Sequence, residues 1–236
     1  MWFFSRKHKI LETPLFEGLK DYHNHTLPAV DDGIKSLDDS LAVLAYLEQL
    51  KISEVVLTPH AMIGVNETPE AIEAAFASLQ GAYNGPIGLT LASEYMLDYN
   101  FSQHLESGPR KVEGAHILVE TSYFSAPLNL DELLYEVSST NLTPLIAHPE
   151  RYLYMPREDY HALKDLEYNF QLNLLSFSSI YGSRVSQNAI YMLEEGLYSV
   201  MGTDLHSLGS FKRRIAEVQL ASKHIDMLLD LKTKGL

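Results

Sequence analysis

Residues 115–148 read AHILVETSYFSAPLNLDELLYEVSSTNLTPLIAH. The apolar, β-branched run Ala115–Glu120 reads as a strand. A helix begins near Asn129, with Glu132 three residues later as a capping partner. A second apolar run, Leu142–Ala147, follows. Strand, helix and strand within about thirty residues, with no tight hairpin signal, is the unit that joins parallel strands. Both strands run into an ionisable residue, Glu120 and His148.

The same alternation extends in both directions. Upstream, Leu19–His23, Glu54–Thr58 and Leu89–Ser93 read as strands. Helices are expected over Ser36–Lys51, with Ser36 as cap and Asp39 as its box partner, and from Thr68-Pro69. Downstream come a helix at Arg157–Glu167, a strand at Phe170–Asn173 and a helix at Ser186–Glu195 closed by Gly196. A strand at Tyr198–Gly202 and one long helix from about Lys212 to Lys232 complete the chain. About seven strand–helix pairs leave an open doubly wound sheet or a closed barrel. No Gly-rich nucleotide fingerprint follows the first strand, which weighs against the open sheet. The expected fold is therefore α/β: a distorted (β/α) barrel of about seven parallel strands, one fewer than usual.

Composition narrows the function. The chain has 236 residues, 46% hydrophobic and 21% charged, which suits one domain. It has no cysteine, so disulfides, zinc fingers, iron–sulfur clusters and cysteine nucleophiles are excluded. Eighteen basic against 31 acidic residues give a net charge of −13, which argues against nucleic acid. No apolar run approaches the ~18 residues of a membrane span. Met1-Trp2-Phe3-Phe4 precedes its charges and does not read as a signal peptide, so a cytoplasmic protein is expected.

A barrel brings all strand ends to one face. That face would collect His23, His25, His60, His148 and His206, five of the ten histidines, with Glu94, Glu120 and Asp204. Histidine and carboxylate without thiolate suit Zn²⁺, Mn²⁺ or Fe²⁺. In the extended pair His23-x-His25 both imidazoles point the same way, and Asp204-x-His206 repeats the device. Glu94 and Glu120 each offer two oxygens, enough to bridge ions. Eight or nine such ligands exceed one tetrahedral site and imply two or three ions, the arrangement that clamps both oxygens in phosphoryl transfer. Singly, each motif has an ordinary explanation: a surface histidine pair, a solvated strand end, a turn at Asp31-Asp32-Gly33. Accident does not place such groups at nearly every strand end. His8, His104, His116, His161 and His224 fall outside the pattern. Arg151 either grips a phosphate or pairs with Glu150 or another loop acid. The fourteen tyrosines read as packing and rim residues.

His23-Asn24-His25, Asp31-Asp32-Gly33, Thr58-Pro59-His60, Glu94, Glu120, His148-Pro149-Glu150-Arg151-Tyr152 and Asp204-Leu205-His206 occur in that order. Together they resemble the polymerase and histidinol phosphatase (PHP) superfamily. Within it they are similar to the bacterial metal-dependent protein-tyrosine phosphatases of capsule and exopolysaccharide clusters. The similarity runs from about Gly18 to Ser207. It implies an extension at residues 1–17, whose Trp-Phe-Phe patch is expected to pack on the barrel, and a single PHP-type domain at 18–236. It also implies a polynuclear Mn²⁺ centre, with Fe, Zn, Co or Mg as alternatives. His23, His25, Glu94 and Asp204 would hold one ion, and Glu94, Glu120 and His148 a second. His60 and His206 would hold a third with Asp32, chosen over Asp31 because it adjoins the glycine.

The resemblance gives Arg151 the role of phosphate binder. Relatives carry a second arginine after the Asp-x-His motif; here Lys212, Arg213 or Arg214 is left to substitute. Water deprotonated by the ions would attack phosphorus in line, without a covalent intermediate. A metal-bound water, His60 or Asp204 would supply the leaving group's proton. The implied substrate is the tyrosine-phosphorylated tail of a membrane-associated bacterial kinase that controls polysaccharide export. A small phosphate ester such as histidinol phosphate, or a silent phosphopeptide-binding module, are the competing readings. The sequence leaves the oligomeric state open, a homo-oligomer included.

Overall fold

Ile117, Leu118 and Val119 are all fully buried, as are Leu145 and Ala147. Strands covered on both faces read as continuous apolar runs instead of alternating ones, and that is the mark of parallel sheets. The computed structural model describes residues 7–65 and 69–236. Its strands are β1 (Lys7–Lys9), β2 (Lys20–Asn24), β3 (Glu54–Leu57), β4 (His60–Ala61), β5 (Gly88–Leu91) and β6 (Glu94–Met96). They continue as β7 (His116–Glu120), β8 (Thr143–Ala147), β9 (Asn169–Asn173), β10 (Val200–Gly202) and β11 (Gln219–Ala221). The helices are α1 (Leu37–Gln49), α2 (Pro69–Ala82), α3 (Phe101–Glu106), α4 (Leu130–Ser139) and α5 (Arg157–Asp165). Three more follow: α6 (Ser183–Glu194), α7 (Leu208–Glu217) and α8 (Ser222–Lys234).

The expected single barrel is drawn as two parallel sheets, one of six strands in the order β10-β9-β8-β7-β6-β4 and one of three, β2-β3-β5. The chain passes from the smaller sheet to the larger twice: β3 leads into β4 across Thr58-Pro59, and β5 into β6 across Ala92-Ser93. Pro59 has no N–H to give to a ladder, so pairing lapses there. His60 and Glu94, expected as the last residues of strands, instead open short strands of their own and pair with each other in register. On the other side β2 lies along the segment after β10. The Asp204 N–H donates to the His23 carbonyl at 2.8 Å and the His25 N–H to that of Leu205 at 3.1 Å.

The C-terminal helix is corrected. The expected helix from Lys212 to Lys232 is two, α7 and α8, split by β11. Val218 and Leu220 are buried, and β11 pairs antiparallel with β1. Ile10, Leu15 and Phe16 of the N-terminal stretch are buried in the main core. The Trp2-Phe3-Phe4 patch and Thr68 lie outside the described residues. At α1 the Ser36 hydroxyl accepts the Asp39 N–H at 3.1 Å, whereas Asn129 makes no such bond at α4.

Gly202 lies against His23. A Cβ there would stand 2.6 Å from the His23 Cβ and 2.7 Å from its backbone N. Gly202→Ala is therefore expected to cost about 1–3 kcal/mol in denaturant unfolding, the usual penalty for overpacking, and to weaken metal binding by displacing His23. An unchanged unfolding midpoint would show that β10 and β2 are less closely apposed.

Candidate metal centre

Glu94 sits at the middle of the site and is fully buried. Its Oε2 lies 3.1 Å from His23 Nε2, 3.2 Å from His25 Nε2 and 3.1 Å from His60 Nδ1. Its Oε1 lies 3.1 Å from His148 Nε2. The two oxygens thus face different imidazoles. Glu120 Oε1 is 2.9 Å from His60 Nδ1, and its Oε2 is 3.9 Å from His148 Nε2. Asp204 Oδ1 lies 3.5 Å from both His23 Nε2 and His25 Nε2, and 3.3 Å from His206 Nδ1. Asp32 Oδ1 faces His60 and His206, at 3.4 and 3.3 Å.

All nine residues expected as ligands therefore converge. Their donor atoms fall into four overlapping groups: His25, Asp32, His60 and His206; His23, His25 and Asp204; His23, Glu94 and His148; and His60, Glu94 and Glu120. Compared with the expected sets, His25 also joins the outer group and His60 faces Glu94 and Glu120. The inner members are buried, while Asp32 and His206 open to solvent.

The donor set fits divalent cations. Glu94 Oε2 and Glu120 Oε1 are buried yet make no hydrogen bond of good geometry. Three close carboxylates need positive charge, and they favour the protonated form of the imidazoles around them. Burial opposes protonation of His23, but Glu94 and Asp204 outweigh it and lift its pKa to about 9. Against the same burial, Glu94, Asp32 and Glu120 lift His60 to about 12. His206 rises to about 9 beside Asp32 and Asp204, again against burial. Burial and the Glu94 charge push Glu120 above the usual carboxylate range. A divalent ion supplies that positive charge directly and frees the nitrogen lone pairs for coordination.

Supporting bonds aim these side chains. Gln171 Oε1 lies 2.9 Å from His23 Nδ1, leaving Nε2 to face inward. Gln171 had no role in the sequence reading. A lone polar residue between Phe170 and Leu172, two before the strand-end Asn173, was the available signal. Asp31 Oδ2 lies 2.9 Å from His25 Nδ1 and accepts the His60 N–H at 3.1 Å. Asp31 thus orients His25, while Asp32 faces the outer histidines. Asp31→Asn is expected to weaken metal affinity by roughly 10–100-fold, as such partners do, and Asp32→Asn to cost mainly the outermost ion. Metal titrations of both variants check this; loss of one and the same ion from each would contradict the division.

His148 and Asp204 have left-handed backbones, with φ of 33° and 50°. Such conformations cost on the order of 1–3 kcal/mol each and persist where neighbours fix them. The His148 N–H donates to the Gln171 carbonyl at 2.9 Å. Glu150 is buried, and its Oε1 accepts from the Asn173 N–H at 3.0 Å and the Ser176 hydroxyl at 2.7 Å. It therefore anchors the loop and is not the partner of Arg151. That partner is Asp204: Arg151 Nη1 donates to Asp204 Oδ2 at 2.9 Å, alongside Asn173 Nδ2 at 2.7 Å. Although burial opposes it, His23, His206, His148 and Arg151 hold the Asp204 carboxyl well below its usual range.

Above these groups opens a cleft of about 360 Å³ lined by Asp32, His60, His206, Arg151, Tyr123 and Tyr181, among others. The guanidinium lies 4.0 Å from the Tyr123 ring centre and 4.1 Å from that of Tyr181, two tyrosines given no specific role from sequence. Lys212 instead lies over Tyr46, and Arg214 pairs with Glu217. Among the described residues, Arg151 is the one arginine or lysine lining this cleft, so the expected substitute cation is not found there. A larger cavity of about 550 Å³ is lined by Ala61 and Tyr95, strand neighbours of His60 and Glu94 that point the other way, and holds none of the nine.

The chain is 27% identical to the tyrosine-protein phosphatase CpsB of Streptococcus pneumoniae over 203 residues, covering 80% of this chain and 84% of that one. It is 25% identical to the tyrosine-protein phosphatase YwqE of Bacillus subtilis over 199 residues, covering 80% and 77%. A crystal structure reported for YwqE of Bacillus subtilis and CpsB of Streptococcus pneumoniae, described as unique metal-dependent tyrosine phosphatases, superposes with a TM-score of 0.74. That match has 21% identity, covers 92% of this chain and 88% of the other, and shows the shared fold. The sequence also matches the family described as capsular polysaccharide synthesis, CpsB/CapC, over residues 19–229. A match of that length takes in every proposed ligand from His23 to His206, and the chain belongs to the CpsB/CapC family.

Proposed function

We propose that this chain is a metal-dependent protein-tyrosine phosphatase of the capsule or exopolysaccharide machinery. The observation that carries the reading is Glu94, whose two carboxylate oxygens face separate imidazole groups as a bridge between ions requires. The relatives named as tyrosine-protein phosphatases support it. The fold reading is one distorted barrel of seven rails, with β3–β4 and β5–β6 each counted once and β2 closing on the segment after β10. Residues 18–236 form its single domain, with the stretch from Lys7 to Glu17 packed onto it.

Two or three ions, manganese in our reading, are assigned to His23, His25, Asp32, His60, Glu94, Glu120, His148, Asp204 and His206. Bound there, they lower the pKa of water and offset phosphate charge. Arg151 grips equatorial phosphate oxygens with the part of its fork that Asp204 leaves open. Asp204 is committed as ligand and brace; His60, mostly buried but lining the cleft, is the chain's own candidate to move a proton, through whichever ring nitrogen no ion takes. The demand is modest, because a tyrosine leaving group has a pKa near ~10.

The substrate we assign is the phosphorylated tyrosine-rich tail of a membrane-associated kinase. The site of action is the cytoplasm; no helix among the described residues is long and apolar enough to cross a membrane. Phosphate release from a phosphotyrosine peptide, with Mn²⁺ and with chelator, beside histidinol phosphate, tests the reading. Mn²⁺-dependent release from the peptide is expected. Preference for histidinol phosphate would overturn the substrate, and release from neither with metal bound would overturn the activity.

A further inference from the structure

The cleft over the metal centre has a mixed lining. Asp32, His60 and His206 contribute polar groups, and Tyr123, Ile180 and Tyr181 contribute apolar surface. Arg151 lies over two of those rings, Tyr123 and Tyr181. Tyr181 is tied back, its hydroxyl accepting from Asn173 Nδ2 at 3.4 Å. Tyr123 keeps 41% of its surface exposed and Ile180 36%, although both border a buried polar centre. Exposed apolar surface is unremarkable when scattered but informative when it walls a concave site.

We propose that Tyr123 and Ile180 form the seat for the aromatic ring of the substrate's leaving group, so that the cleft selects aryl over alkyl phosphate monoesters. The inference rests on the phosphatase reading above. A phosphate held by Arg151 has its ester oxygen one bond from the group it carries, so that group is delivered to the wall beside the guanidinium. A flat ring packs against the exposed part of Tyr123 that the guanidinium leaves uncovered and removes apolar surface of both from water. A short alkyl chain covers much less of the tyrosine face, and a serine phosphate covers almost none.

The test compares phenylphosphonate with methylphosphonate, which share the anion and resist hydrolysis, binding to the Mn²⁺-loaded protein by calorimetry. Wild type is expected to favour the phenyl compound by about tenfold, the scale of one good aromatic contact. Tyr123→Ala and Ile180→Ala should each cut that preference to about threefold or less, mainly by weakening the phenyl compound, and Tyr123→Phe should keep it. An unchanged preference in Tyr123→Ala overturns the seat. So does an equal loss for both phosphonates, which would make the ring a prop for Arg151. Phosphate release from phenyl phosphate is measured on the same samples. No release by a wild type that still prefers phenylphosphonate would refute the phosphatase reading and spare the seat; no binding of either compound would refute both.

Discussion

Glu94→Ala is expected to lose metal and activity together, with turnover falling roughly a thousandfold or more, beyond the 10²–10³ of a single lost transition-state donor. Glu94 is the residue on which the other proposed ligands converge. Its Oε2 faces His23, His25 and His60, and its Oε1 faces His148. Removing it would take a proposed ligand from more than one ion, and it takes away the largest attraction that favours charge on His23 and His60. Glu94→Gln separates charge from volume: it keeps the packing of a fully buried side chain but removes the anionic bridge. Both variants should hold fewer ions than wild type by elemental analysis while unfolding as cooperatively. Retained activity with full metal content in either would remove Glu94 from the centre of the site.

Arg151→Ala is expected to leave metal content intact and to lower kcat/KM by roughly 10²–10³, the range for one preorganised charge-stabilising donor. Inorganic phosphate should inhibit it more weakly. Arg151→Lys should recover little, because an ammonium lacks the planar fork that meets a brace and a phosphate at once. The brace is visible: Nη1 is committed to Asp204 Oδ2. Because Asn173 also holds that oxygen, Asp204 should keep its place when the guanidinium goes. Metal loss in Arg151→Ala would show that Arg151 acts through Asp204 and not on the substrate.

The parts legible in the sequence were those with strong local signatures. Continuous apolar runs such as Ile117-Leu118-Val119 announced parallel strands, and an ionisable residue at or soon after the end of most runs announced the site face. The sheet boundaries were not legible. Thr58-Pro59 and Ala92-Ser93 each lie within one extended stretch; Pro59 marks the first lapse in pairing, but no such residue marks the second, where β5 of the smaller sheet gives way to β6 of the larger. Residues 212–232 carry helical spacing throughout, and the break at Val218 arises because Lys7–Lys9, more than 200 positions away, offers a strand partner. Asp31 and Asp32 are neighbours of identical chemistry. Their roles separate because Gly33 is close-packed on the His25 carbonyl, where a Cβ would meet its oxygen at 2.3 Å, and Asp31 is thereby held against His25. Tyr123 and Tyr181 come from separate loops and meet only around Arg151.

Stripping the protein with chelator, then titrating Mn²⁺ while following both bound metal and phosphate release from a phosphotyrosine peptide, bears most directly on the centre described here. Activity should be absent in the stripped protein and reach its plateau only after more than one equivalent of ion is bound per chain. Full activity in metal-free protein, or a plateau that no added ion changes, would contradict the polynuclear site.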